Sequence, residues 1–196
     1  PVVGELELGS WYCPGRIIAV TGSNGKSTVV TLVGEILKAA GHDAVVCGNI
    51  GAPLCGELDR IRPGTLVVLE VSSFQLEGSL AFRPEIACVL NVTDNHLDRH
   101  GSFARYLAAK ERILAFQGPR GWAVLNAGDP GSRALRGRVE GAVALFGREE
   151  SGAEARVSDG WLRLDLPGLS GVICREEALP ARGPHHTENA LAAAAI

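Results

Sequence analysis

Seven consecutive residues, Gly22-Ser23-Asn24-Gly25-Lys26-Ser27-Thr28, carry the densest chemistry in the chain. Glycines let a backbone wrap closely around a phosphate, and a helix start offers unpaired amides with a partial positive charge. A lysine adds a mobile cation, and a serine hydroxyl can ligate Mg²⁺. The usual form of such a loop begins with a glycine at what is position 20 here. Val20 stands there instead, and Gly22 opens a shorter variant. A triphosphate loop also needs a carboxylate to orient its metal. Leu66-Val67-Val68-Leu69-Glu70 supplies one, because four apolar residues followed by an acid put the acid where a buried strand ends. These two segments together point to a nucleoside triphosphate and Mg²⁺.

A third polar segment, Asn91 to His100 (NVTDNHLDRH), follows another apolar run and opens at the same sheet edge. His96 and His100 are four apart, as on a zinc-binding helix, but Leu97 sits where that motif carries its glutamate base. A zinc hydrolase is disfavoured. His96 reads as a ligand or phosphate contact, and His100 as a solvated residue at a helix start. By residue type alone, Lys110 is a surface lysine of a helix, and Asn189 is a polar residue ahead of an alanine-rich helix.

The elements that must hold these groups follow from periodicity. Short apolar runs at Arg16 to Thr21, Ala44 to Cys47, Thr65 to Val71, Glu85 to Val92 and Gly121 to Asn126 read as strands buried on both faces. Helices are expected over Ser27 to Ala40, Leu54 to Ile61, Ser102 to Phe116 with Ser102 as N-cap, and from Pro184 onward. Alternating strands and helices predict an α/β fold, a P-loop-type, mostly parallel sheet with helices on both faces. Between residues 147 and 175, short alternating stretches with glycine pairs predict a small antiparallel β appendage.

Bulk properties exclude more than they assign. The 196 residues are 46% apolar and 21% charged with a formal net charge of −3, which leaves no basic footprint for nucleic acid. No apolar stretch approaches the roughly 18 to 20 residues needed to span a bilayer. The 5 cysteines contain no CxxC pair and read as buried free thiols of a reducing cytoplasm. There is no methionine, not even at position 1, and the last helical run carries no stop signal. Both ends are therefore expected to be cuts in a longer protein.

The segments TGSNGKST at 21 to 28, GNIG at 48 to 51, EVSSFQLE at 70 to 77, NVTDNHLDRH at 91 to 100, AAKERI at 108 to 113 and HTENALAA at 186 to 193 resemble, in order and spacing, the central ATPase domain of the Mur ligase family. Ser72-Ser73-Phe74-Gln75-Leu76 is similar to the D-glutamate-adding members. The resemblance implies an ATP-dependent, cytoplasmic ligase that joins D-glutamate to UDP-N-acetylmuramoyl-L-alanine through an acyl phosphate, in peptidoglycan precursor synthesis. It implies that residues 1–15 end an N-terminal domain or linker and that 16–196 form the central ATP-binding domain with its last helix truncated. UDP-binding and C-terminal domains would lie outside the chain.

Carried over by position, Gly22, Ser23, Asn24, Gly25, Lys26, Ser27 and Thr28 cradle the ATP phosphates, and Asn189 contacts ATP. Ser27 and Glu70 hold a first Mg²⁺. His96 and Lys110, the latter as a carbamate formed with CO₂, hold a second. Lys26, His96 and Lys110 are the catalytic set, with Asn49 and Ser72 on the substrate side. The pattern departs from the family at Asn95, where an acid is common and Asp94 stands one position earlier, at His186 in place of an asparagine, and at Asn126 to Asp129, which holds one acid rather than two. A monomer without nucleic-acid or membrane partners is expected. Two other readings stay open: another Mur ligase or a folylpolyglutamate synthase on the same fold, and a P-loop nucleotide switch without ligase chemistry.

Overall fold

The computed structural model describes residues 2–93, 97–148 and 152–196. The chain opens with helix α1 (Glu5–Tyr12), strand β1 (Arg16–Thr21), α2 (Lys26–Ala39) and β2 (Ala44–Gly48), followed by α3 (Leu54–Glu57) and β3 (Leu66–Glu70). It continues through α4 (Ser73–Glu77), β4 (Ile86–Val89), α5 (Leu97–His100), α6 (Phe103–Glu111), β5 (Trp122–Asn126), α7 (Pro130–Ala134) and β6 (Ala142–Gly147). Three further strands, β7 (Ala155–Ser158), β8 (Trp161–Leu166) and β9 (Leu169–Arg175), precede the final α8 (Pro184–Ala195).

All nine strands form one sheet in the order β2-β3-β1-β4-β5-β6-β7-β8-β9. Strand β1 lies between β3 and β4, parallel to both. The crossover from β1 runs to β2 on one side and the crossover from its neighbour β4 runs to β5 on the other, which opens a crevice between the C-terminal ends of β1 and β4. Period-two alternation sorts the central strands onto two cores. Ile17, Ala19, Val67, Leu69, Ala87 and Val89 face one core with Leu6, Leu54, Leu76 and Tyr106. Ile18, Val20, Val68, Cys88 and Val124 face the other with Val29, Val30 and Val33 of α2 and Leu191 and Ala192 of α8. Each fully buried aliphatic side chain contributes about 1.5–3 kcal/mol, so continuously apolar strands are the expected price of covering both faces.

The α/β architecture and most predicted elements are present, with several differences that have physical causes. The expected helix over 54 to 61 breaks after Glu57 into a 3₁₀ turn at Leu58–Arg60, and the one over 102 to 116 ends at Glu111 and continues as turns. The expected antiparallel appendage is present as β7, β8 and β9, and it continues the main sheet. Strand β7 pairs parallel with β6 through Phe146 and Ala155, and β8 and β9 add to it antiparallel. Strand β6, and helices α1, α4 and α7, are additional to the sequence-based expectation. Helix α1 docks through two carboxylates: buried Glu7 accepts from Leu80 N at 2.8 Å and Ala81 N at 2.9 Å, and Glu5 accepts from Cys55 N at 2.7 Å. The cysteines are free, but only Cys47 and Cys88 are buried as expected while Cys13, Cys55 and Cys174 are half-buried; burial pushes the Cys47 thiol up to about 12.

Candidate functional site

The loop between β1 and α2 leaves the sheet at its C-terminal edge, beside the ends of β2, β3, β4 and β5. Glu70, the last residue of β3, is 3% exposed. Its carboxylate accepts from Ser27 Oγ at 2.6 Å and from Asn49 Nδ2 at 2.8 Å. Asn49 is itself fixed by its backbone N–H, which donates to Glu70 O at 2.8 Å. The structure thus brings together three residues that lie far apart in sequence. One carboxylate, one hydroxyl and one amide form an oxygen-rich set at a helix start, and this fits Mg²⁺, which keeps several waters and takes few protein ligands beside phosphates.

Lys26 Nζ donates to Gly22 O at 2.9 Å and Ser23 O at 3.3 Å, so the cation bridges its own loop. Burial lowers its pKa, and the Glu70 charge opposes that shift. Ser23 fastens the loop through its backbone and hydroxyl, and Asn24 through its backbone alone, its side chain being exposed. Ser23 N donates to Asn91 O at 3.0 Å, Ser23 Oγ accepts from Thr93 N at 3.0 Å, and Asn24 N donates to Asn91 Oδ1 at 2.9 Å. Ser23 Oγ also lies 3.0 Å from the Tyr106 hydroxyl. Ser72 caps α4 in a reciprocal box with Gln75, which sets the turn after Glu70.

Gly25 has φ +86°, and any Cβ there would run into Asn189 Oδ1 of α8. Asn189 therefore packs directly on the phosphate loop. Gly25→Ala is expected to cost about 1–2 kcal/mol from the left-handed backbone alone and to displace Asn189, so thermal denaturation should show a lower Tm and nucleotide titration a weaker affinity. Asn189 also lines a cleft of about 420 Å³ with Asn24, Gly25, Asn91, Asp129 and Glu188. On its other side an apolar groove of about 520 Å³ runs between Thr28 and Leu32 of α2 and the segment Leu179–Ala181. Asp129 serves as N-cap of α7, its Oδ1 accepting from Ser132 N at 2.7 Å and Val92 N at 3.0 Å. His186 is exposed on α8.

Two expectations from residue type are overturned. Lys110 is no surface lysine: it is 1% exposed, with Nζ 3.4 Å from Thr21 Oγ1 and 4.6 Å from the centre of the Tyr106 ring. Burial, aided by the nearby Lys26 charge, lowers its pKa to about 7. Helix α6 turns this face inward because Tyr106, four residues earlier and hence on the same face, packs into the core. That spacing was the sequence signal that could have found it. His100 is likewise not solvated but 3% exposed. Its Nε2 is 3.0 Å from Ser73 Oγ, and its Nδ1 lies 2.9 Å from Glu77 Oε1. His96, with Asp94 and Asn95, lies outside the described residues.

The Mur ligase middle domain model matches residues 20–196. Over 196 residues the chain is 48% identical to the UDP-N-acetylmuramoylalanine–D-glutamate ligase of Pelotomaculum thermopropionicum, covering 100% of this chain and 43% of that protein. Over 199 residues it is 42% identical to the enzyme of the same name from Koribacter versatilis, covering 100% of this chain and 44% of that protein. The chain therefore spans less than half the length of these relatives. Among solved structures, a crystal structure of MurF from Acinetobacter baumannii superposes with a TM-score of 0.75 at 23% identity, covering 97% of this chain and 45% of that one. MurF from Thermotoga maritima in complex with ADP does so with a TM-score of 0.68 at 20% identity, covering 96% of this chain and 47% of that one. At such identities the structural likeness speaks to the fold.

Proposed function

Because the chain belongs to the Mur ligase middle domain family, we propose that it is the ATP-binding core of a ligase that adds D-glutamate to UDP-N-acetylmuramoyl-L-alanine. The observation that carries this reading is the Ser27–Glu70–Asn49 cluster at the start of α2, with Lys26 spanning the loop beside it. The choice of D-glutamate rests on Ser72 to Leu76 and on the relatives at 48% and 42% identity. In this reading residues 16–196 are the central domain and 1–15 lead into it from a UDP-binding domain. An amino-acid-binding domain follows.

The reaction joins two anions, so neutralisation and alignment account for most of the catalytic work. The acceptor carboxylate oxygen attacks the γ-phosphorus, the bond to the β-bridging oxygen breaks, and ADP leaves with that electron pair. The amine of D-glutamate then attacks the acyl carbon, and the tetrahedral intermediate expels phosphate while the amine proton passes to solvent. Lys26 would exchange the Gly22 and Ser23 carbonyls for phosphate oxygens, and the first amides of α2, whose N-cap makes no side-chain cap bond, would add hydrogen bonds to the phosphates. Glu70 and Ser27 would hold Mg²⁺, which when bound neutralises phosphate charge.

Lys110 suits carbamate formation because addition of CO₂ requires the neutral amine, and a lysine with a pKa near 7 supplies it at physiological pH. The neutral amine nitrogen bonds to the carbon of CO₂, one proton is released to solvent, and an uncharged amine becomes an anion near Lys26. With His96, this anion would form a second metal site. The enzyme would act in the cytoplasm with its nucleotide substrates; no described helix is long and apolar enough to cross a membrane.

Phosphate release by the complete protein tests the reading. It is expected only with ATP, UDP-N-acetylmuramoyl-L-alanine and D-glutamate together. Release with a different amino acid or a folate acceptor would assign the chain to another branch, and nucleotide binding without acceptor-dependent turnover would favour a switch.

A further inference from the structure

His100 lies outside the set of residues to which the phosphate loop, the metal cluster and Lys110 assign a role, yet it is among the most enclosed polar side chains on this side of the sheet. Three contacts tie it to one short helix, α4. Ser73 Oγ is 3.0 Å from Nε2, Glu77 Oε1 is 2.9 Å from Nδ1, and the Phe74 ring stacks on the imidazole with centroids 5.2 Å apart and planes 2° from parallel. Arg99 covers the Phe74 ring, 5.1 Å from its centre. Serine, histidine and glutamate stand in the order of a nucleophilic triad, but the close Nδ1–Glu77 approach lacks hydrogen-bond geometry. Ser73 is 4% exposed and His100 3%, however, so neither is presented to a substrate. The arrangement is a strut.

What the strut supports lies on the other side of the imidazole. Tyr106 of α6 packs against His100 with ring centroids 5.0 Å apart at 51°. The Tyr106 hydroxyl is 3.0 Å from Ser23 Oγ in the phosphate loop, and the Tyr106 ring carries Lys110 Nζ over its face. One continuous set of contacts thus runs from α4, whose N-cap follows Glu70 by two residues, through His100 and Tyr106 to Ser23.

We propose that His100 is a positioning residue: its flat ring, fixed by α4, sets Tyr106 against Ser23 and so holds the phosphate loop in the shape that receives the nucleotide. This rests on the reading of that loop as the ATP site. The physical basis is that aromatic faces constrain one another's orientation, whereas an aliphatic side chain of similar volume fills space without doing so.

The test is calorimetric titration of the complete protein with ADP and Mg²⁺, with melting curves for each variant. His100→Leu and His100→Phe both lose the Ser73 and Glu77 contacts, and only phenylalanine keeps a flat ring. His100→Leu is expected to bind ADP about tenfold more weakly and His100→Phe within about twofold of the wild type. Equal affinities for the two variants would overturn the proposal. Tyr106→Phe, which removes only the hydroxyl facing Ser23, probes the next link independently of how His100 variants fold; about fivefold weaker binding is expected, and unchanged binding would overturn the path. A wild-type protein that binds no nucleotide would overturn the ATP-site reading and this inference with it. Normal wild-type binding with indifferent variants would overturn the inference alone.

Discussion

Replacing Lys110 by methionine is expected to make the protein more stable and to abolish ligation at the same time. The side chain is 1% exposed and its pKa is lowered to about 7, chiefly by burial. In the unfolded chain the ordinary lysine value applies, about 10.4. Between those two values the unfolded state binds the extra proton, so wild-type stability should rise with pH across that window, by up to about 1.4 kcal/mol per pH unit. Below pH 7 the full cost of burying the ammonium is present; above the unfolded value it vanishes. Lys110→Met removes that slope. Its stability gain over the wild type should be greatest at and below pH 7 and shrink as pH rises. Chemical denaturation in CO₂-free buffer at several pH values checks this, and a wild-type slope equal to that of the variant would count against the buried amine.

The loss of turnover in the same variant has a different origin. If Lys110 acts as a carbamate, no methionine can replace the anion, and kcat should fall by about a thousandfold or more. Short carboxylates added to Lys110→Ala, which leaves room for them, should restore part of the rate. For the wild type at fixed dissolved CO₂, activity should decline as pH falls through about 7, because the amine becomes protonated and no longer adds CO₂. Full activity in either variant without additives would remove Lys110 from the mechanism.

The second large effect is expected at Lys26. Its ammonium lies within hydrogen-bonding distance of two loop carbonyls, Gly22 O and Ser23 O, and is held near Glu70. In the proposed reaction it would meet the most concentrated negative charge when nucleotide binds. Lys26→Met keeps most of the aliphatic stem and removes only the charge, so the fold should survive. The expected loss in kcat/KM is about 10³-fold, comparable to removal of other charge-stabilising groups in phosphoryl transfer. It should appear in both ATP affinity and turnover. Steady-state kinetics with ATP varied at saturating acceptor measures both, and a loss confined to KM would mean that Lys26 binds the ground state and transition state equally.

The site was legible in the sequence wherever the chain itself encodes position. A buried strand followed by a glycine-rich turn and a helix places Gly22 to Thr28, and four apolar residues place Glu70 at a strand end; the structure then joins them at 2.6 Å. Lys110 and His100 were not legible from residue type because their burial depends on what covers α6 and α5, and that covering comes from distant residues: Thr21, Ser73, Phe74 and Glu77. Resemblance to a family marked Lys110 as important, but composition alone put it in water. Helix α4 was missed for a related reason. It has only five residues, too few for a periodic pattern, and is fixed by the Ser72–Gln75 capping box. Strand β6 was hidden by its two alanines, the preceding Gly141 and its own terminal Gly147, and becomes a strand by pairing with β5 over five residue pairs.

The central claim is chemical: ATP activates the acceptor carboxylate as an acyl phosphate before D-glutamate attacks. UDP-N-acetylmuramoyl-L-alanine labelled with ¹⁸O in its terminal carboxylate tests this directly. In the attack described above, a carboxylate oxygen forms the bond to phosphorus and remains on the phosphate when the amine expels it. Mass spectrometry of the phosphate released by the complete protein should therefore show one ¹⁸O atom per product amide formed. Unlabelled phosphate accompanying amide formation would contradict the account.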